Sequence, residues 1–230
     1  IGQAVSKRNG TSERWGLHNY DLSKTEHFDK AKRAILTLRP KHLWCSPPTT
    51  PFLNRVTHQD RENSSTPEKK AREYKKAKLV WDRCIALANL QISSGRHAHI
   101  EHPLRSKAWK LHSEAQKHFF AAAEPIRIDG CMHDCRDSSG NLTLCPIQVY
   151  TSDNELATSL QTLCNHGRPH SANTHGENRY SKQLGSHIAK SVLKEPTQLV
   201  EKFWKTVFQD QKSTYLMYPP TACSTCVELN

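Results

Sequence analysis

The sequence predicts an α/β domain, a mostly parallel sheet with helices on both faces. Three observations carry that prediction. Short apolar runs rich in aromatic and β-branched residues alternate with longer stretches of helical periodicity. Two of the strand-like runs stop abruptly at proline, Leu43-Trp44-Cys45-Ser46-Pro47-Pro48 and His97-Ala98-His99-Ile100-Glu101-His102-Pro103. Open α/β sheets place their chemistry in the crevice beyond such strand ends. The alternation then closes with a turn-rich hairpin, Asp137-Ser138-Ser139-Gly140-Asn141, between two further strand-like runs.

The elements follow in order. Gln3–Asn9 reads as the end of a helix stopped by Gly10, and Ser12–Leu17 as a strand. Ser23-Lys24-Thr25-Glu26 has the pattern of a capping box, and Phe28, Ala31, Ile35 and Leu38 keep helical spacing up to Arg39, before Pro40. The strand Leu43–Ser46 follows, then a polar loop over residues 54–65. Ser65-Thr66-Pro67-Glu68 opens a long helix whose face carries Tyr74, Ala77, Val80, Trp81, Cys84, Ile85, Ala88 and Ile92, ended by Gly95. After the His97–Pro103 strand, Ser106–Ala123 is expected as one helix, and Ile126–Asp129 and Ile147–Tyr150 as strands. Ser152-Asp153-Asn154-Glu155 caps a helix to about Leu163. Residues 164–176 are irregular and His- and Asn-rich. Two helical stretches separated by Pro196 and a tail from Tyr218 complete the chain. The division this suggests is an α/β domain over 1–178 and a helical extension over 179–230.

Composition narrows the function classes. Lys+Arg number 33 against 22 Asp+Glu in 230 residues, a net charge of +11. Such a balance favours polyanions, with nucleic acid ahead of an anionic membrane surface. The solvated face of a basic protein is the plainer account of the same charge. The apolar fraction is 36%, and no run approaches the roughly 18–20 residues that span a bilayer. Eight irregularly spaced cysteines do not form a small disulfide scaffold. An intracellular compartment is expected, nuclear or organellar. The chain begins at Ile1 as though inside a helix, so an upstream segment is expected as well.

The loop Trp44-Cys45-Ser46-Pro47-Pro48-Thr49-Thr50-Pro51-Phe52, followed in order by His99-Ile100-Glu101-His102-Pro103 and Ser106-Lys107-Ala108-Trp109, resembles the carbon-5 cytosine methyltransferases of the S-adenosylmethionine-dependent superfamily. The order strand, helix, strand, hairpin, strand fits the same family, and the resemblance covers roughly residues 1–190. It implies a Rossmann-like methyltransferase fold with its first strand missing or truncated and a helical C-terminal extension. In that family a thiolate in the Pro-Pro-Cys loop adds to carbon 6 of a flipped cytosine, and a Glu at the next strand end contacts the ring. By this mapping Glu101 is the base-contacting residue and Thr49 stands where the nucleophile belongs. A Thr hydroxyl without an adjacent base is a poor substitute for a partly ionised thiol. The alternative for Glu101 is a salt bridge with Arg105.

The cofactor half of the resemblance is reduced. Only Gly2 remains of a Gly-rich loop, and Asp21, Ser46 and Pro47 are the candidate cofactor contacts. Asp21 is equally readable as a turn residue. S-adenosylmethionine is therefore expected only if an upstream strand exists. Arg55, Arg96, Arg105, Lys107 and Arg168, with Lys110 and Arg179, are the candidate phosphate contacts for DNA or RNA, with Trp44 facing the base or packed in the core. Three clusters offer metal ligands: Cys131, His133, Asp134, Cys135 and Cys145 around the hairpin; Cys164, His166, His170 and His175; and Cys223 with Cys226. The middle cluster is the better-spaced one, with Cys164, His166 and His170 as ligands and zinc as the ion.

The expected function is that of a methyltransferase homologue without catalysis, kept as a nucleic-acid-binding or assembly subunit. Two alternatives stand beside it: an active methyltransferase whose first strand lies upstream, and a basic structural protein of a large complex.

Overall fold

The computed structural model describes residues 11–14, 20–53, 66–137, 139–171, 181–193 and 214–218. Within them six strands form one sheet: β1 (Thr11–Arg14), β2 (His42–Cys45), β3 (His97–Pro103), β4 (Glu124–Ile128), β5 (Ile147–Thr151) and β6 (Thr214–Tyr218). Their spatial order is β1-β6-β2-β3-β5-β4. The pairings β1–β6, β6–β2 and β2–β3 are parallel, whereas β5 runs antiparallel to both β3 and β4. The sheet is therefore mixed, which corrects the mostly parallel expectation. The hairpin excursion after β4 reverses the chain, and β5 returns between β3 and β4.

Five helices cover the sheet: α1 (Thr25–Leu38), α2 (Pro67–Ser93), α3 (Glu114–Ala121), α4 (Asn154–Leu160) and α5 (Lys182–Leu193). Helices on both faces were expected, and the two cores bear this out. On one side Leu43, Cys45, Ala98 and Ile100 pack with Ile35, Trp81, Cys84, Ile85 and Phe119 from α1, α2 and α3. On the other, Trp44, Ile126, Ile128 and Val149 pack with Leu156, Leu160, Leu184, Ile188 and Val192 from α4 and α5. The period of two along β2 sorts these residues: Leu43 and Cys45 face one layer, Trp44 the other.

Several boundaries differ from the sequence expectation, each for a local reason. Lys24 rather than Ser23 is the N-cap of α1, with no side-chain cap, because Ser23 instead bonds its backbone N–H to Asp21 Oδ1 at 2.9 Å. At the other end Arg39 turns left-handed (φ 49°) and bonds back to the Ile35 carbonyl, since Pro40 forbids another turn. Thr66 caps α2, accepting the Lys69 N–H. The expected helix Ser106–Ala123 is split. Ser106 caps a single 3₁₀ turn (Lys107–Lys110), His112 adopts φ 51°, and Ser113 caps α3 anew. Helix α4 ends at Leu160 instead of Leu163 because Thr162 returns to β4, bonding the Arg127 carbonyl at 3.1 Å and accepting the Asp129 N–H at 2.8 Å.

The C-terminal extension is not wholly helical. Thr214–Tyr218 is strand β6, which fills the place beside β2 and also pairs with β1. Its Tyr-Leu-Met-Tyr composition suits a strand, and pairing relieves the exposed edge that β2 would otherwise present. Helix α5 shares the α4 core. Gln3–Asn9, Trp15–Leu17, the second helical stretch after Pro196 and the tail from Pro219 lie outside the described residues. No helix among the described residues is long and apolar enough to cross a membrane.

Candidate functional site

Parallel pairing of β2 and β3 sets Trp44 opposite His99 and brings Glu101 to the same face, one pleat further on. Trp44 donates its indole N–H to Glu101 Oε2 at 2.8 Å, and the Ser46 hydroxyl also bonds this carboxyl. All three side chains are buried. Burial raises the Glu101 carboxyl to about 7, with the Ser46 and Trp44 bonds opposing the rise. At neutral pH the group thus divides between a charged acceptor and a neutral acid that can donate. Its partners are Trp44 and Ser46, not the Arg105 guanidinium considered from the sequence.

Pro47, Pro48 and Thr49 continue directly from Ser46. Pro47 is buried, Pro48 and Thr49 are half-buried, and Thr50–Phe52 forms one 3₁₀ turn. Two contacts hold this loop down. His102 Nε2 meets the Pro48 carbonyl at 3.2 Å, and Phe52 is fully buried against Trp81, Tyr74 and His102. The loop, its Thr49 and the Glu101 carboxyl therefore share one end of β2 and β3. Cys45 faces the opposite layer beside Cys84, so its thiol is turned away from Glu101.

A second polar line runs along the same sheet face. His42 Nδ1 and His99 Nε2 are 3.0 Å apart, and His99 Nδ1 lies 2.8 Å from Thr151 Oγ1. Burial pushes His99 down to about 3, so its ring is neutral and serves as a sheet cross-link.

The remaining sequence candidates are scattered. Asp21 accepts the Ser23 N–H and approaches Lys76 Nζ at 3.4 Å, a turn residue with one ion pair. Arg96 precedes β3, at the end opposite Glu101 and about 15 Å of strand away. Its guanidinium is bound to Gln91 Oε1 and the Ile35 carbonyl. Arg105 and Lys107 follow β3 and are exposed, as is Arg168 on the loop after α4. Arg55 lies outside the described residues. The first part of α2 presents a further basic surface. Residues 66–76 are exposed throughout, and they include Lys69, Lys70, Arg72, Lys75 and Lys76.

The Cys/His candidates come together, with one addition. Cys164, His166 and His170 are joined by Cys131, from the 3₁₀ turn that follows β4, and all four donor atoms lie within 4.8 Å of one another. Cys164 Sγ is 3.5 Å from His170 Nε2. Sequence spacing could not find Cys131, which stands 33 residues before Cys164 and was grouped with the hairpin cysteines. Those form a separate knot in which the Thr143 hydroxyl sits 3.4 Å from Cys135 Sγ and 2.9 Å from Cys145 Sγ. The contact with Cys145, and then burial, raise the Cys135 thiol. Cys223 and Cys226 lie outside the described residues.

Against known proteins, the chain matches no family model, no curated protein and no solved structure.

Proposed function

We propose that this chain is a cytosine-methyltransferase-like protein that has lost the nucleophile and binds nucleic acid, with Glu101 as the base-facing group. The observation that carries the reading is the Glu101 carboxyl, buried at the end of β3 beside the Pro47-Pro48 loop and oriented by Trp44 and Ser46. The Watson–Crick edge of cytosine pairs a ring-nitrogen acceptor with an amino donor. A carboxyl that is partly neutral at pH 7 offers one donor and one acceptor, which complements that edge. The order of elements after the loop and the exposed lysines of α2 support the same reading.

Catalysis is another matter. Thr49 occupies the loop position of the family thiol, and an unactivated hydroxyl does not add to a pyrimidine ring. Binding, or assembly on a nucleic acid, is what the remaining groups can do. The backbone would be held by basic side chains, and a base unstacked from a single strand would meet Glu101.

The test is fluorescence anisotropy of a labelled single-stranded oligonucleotide at several salt concentrations. Affinity that falls steeply with salt, and about tenfold or more in the combined Lys69→Glu, Lys70→Glu and Arg72→Glu variant, supports the reading. No binding at low salt sinks it. Calorimetry with S-adenosylmethionine separates the active alternative: saturable binding, with methyl transfer gained on Thr49→Cys, would return catalysis to the chain.

A further inference from the structure

We propose that Cys131, Cys164, His166 and His170 bind one zinc ion that clamps the loop after α4 to the turn after β4. This site shares no residue with the Trp44–Glu101 pair and does not depend on the function proposed above.

The donor set points to zinc. Two thiols and two imidazoles suit a borderline-soft d¹⁰ ion and are poor ligands for magnesium or calcium, which take oxygen. Tetrahedral zinc with these ligands has donor-to-donor separations of about 3.3–3.8 Å. The Cys164–His170 pair already stands at 3.5 Å, and the whole set lies within 4.8 Å, so small side-chain movements close the tetrahedron. His166 Nε2 is shielded from solvent and has no hydrogen-bond partner among the described residues. A metal bond would satisfy it. Ligation through Nε2 places the ring proton on Nδ1, so the long 3.3 Å approach of the Arg168 N–H to Nδ1 has to open.

The scaffold presents the ligands in advance. Ile128 bridges Thr162, and Asp129 Oδ2 accepts the Cys164 N–H at 2.9 Å while its two oxygens hold the Arg127 guanidinium. These contacts bring Cys164 alongside Cys131. Beyond Leu163 the segment Cys164-Asn165-His166-Gly167-Arg168-Pro169-His170 contains no Val, Leu, Ile, Met, Phe, Tyr or Trp that could anchor it by burial, and Pro169 is exposed. Ordering seven residues without apolar contacts is costly, and a metal supplies what the missing core does not. Four protein ligands fill the tetrahedron, so the ion is structural and has no position for a reacting water. Binding releases the two thiol protons, and the resulting thiolates neutralise the dication.

The experiment is zinc analysis of the purified full chain by inductively coupled plasma mass spectrometry, with cobalt replacement. One equivalent of retained zinc, and tetrahedral cobalt bands with thiolate-to-cobalt charge transfer, are expected. Cys131→Ser and His170→Ala should weaken retention about tenfold or more against a competing chelator, while Cys145→Ser should leave it unchanged. If the ligand variants do not fold, alkylation of the wild-type chain replaces them. Cys131 and Cys164 should be protected until a chelator is added, and Cys135 should not respond to it. No retained metal with an octahedral cobalt spectrum, equal alkylation with and without chelator, or loss of zinc in Cys145→Ser but not in Cys131→Ser would each overturn the proposal.

Discussion

Trp44 and Glu101, one from each of two neighbouring parallel strands, share a 2.8 Å hydrogen bond in the buried space below the Pro47-Pro48 loop. An indole N–H can only donate, so it favours the charged carboxylate over the neutral acid. It therefore works against the burial that drives the carboxyl upward. Trp44→Phe keeps an aromatic ring against Ile126 and Val149, deletes the donor, and leaves the space of the lost indole ring, a packing cost that is the same at every pH. A charged partner loses about 1.5–3 kcal/mol and a neutral one about 1 kcal/mol. Urea unfolding should show a larger loss at pH 8 than at pH 5, and an equal loss at both would reduce the role of Trp44 to packing.

Glu101→Gln isolates the titration itself. The folded carboxyl stands at about 7 against an ordinary 4.5. Between these values the folded chain keeps a proton at Glu101 that the unfolded chain has lost, so this carboxyl's contribution to stability falls as pH rises through the window. The full effect is about 3 kcal/mol at roughly 1.4 kcal/mol per pH unit. Glutamine can still accept from Trp44 and cannot ionise. The variant should gain on the wild type by up to about 3 kcal/mol between pH 4.5 and pH 8 in paired denaturation curves. A constant difference would show that the carboxyl does not titrate in this range.

The strand positions at this site were legible because period-two burial and proline stops are local signals. Trp44, Glu101 and the loop could be placed at one strand end from the order of residues alone. Other features depend on contacts that no local pattern records. The reversal of β5 follows from where a hairpin returns in space. The placement of β6 beside β2 joins residues about 170 apart in the chain, from His42–Tyr215 to Cys45–Tyr218. The split of Ser106–Ala123 is a competition between two serine caps, both compatible with the sequence. At the candidate metal cluster, spacing alone singles out Cys164, His166 and His170. Cys131 is not among them, because its proximity depends on the Ile128–Thr162 bridge.

His102 contributes in the opposite sense to Glu101, weakening the fold as pH falls. Its ring is enclosed by Phe52, Trp81 and Trp109, and burial lowers it to about 4, with the Pro48 carbonyl opposing. As pH falls from 6.5 towards 4 the unfolded chain takes a proton that the folded ring refuses. Stability held near neutral pH is therefore lost on acidification, by about 3 kcal/mol. His102→Phe retains the ring and forfeits the Pro48 bond, costing about 1 kcal/mol at pH 7. The stability curves of variant and wild type should cross between pH 6.5 and pH 4, and parallel curves would remove His102 from the acid response.

Gly130 opens the turn that carries Cys131, and its backbone lies against the hairpin cysteines. A Cβ there would stand 2.9 Å from Cys135 Cβ, closer than carbon atoms tolerate, and a tight 3.1 Å from Cys145 Cβ. The turn is also tied by the Gly130 N–H to the Leu144 carbonyl at 2.7 Å and by the Gly130 carbonyl to the Cys135 N–H at 3.0 Å. Neither neighbour is the free end of a flexible side chain, so Gly130→Ala must move backbone and should cost about 1–3 kcal/mol. For a chain of this size that lowers the melting temperature by about 2–10 °C. Gly167→Ala is the control, because nothing lies within 4 Å of its would-be Cβ. It should stay within about 0.5 kcal/mol of the wild type. Equal melting of the two variants would show that the Gly130 turn gives way freely and does not hold Cys131 in place.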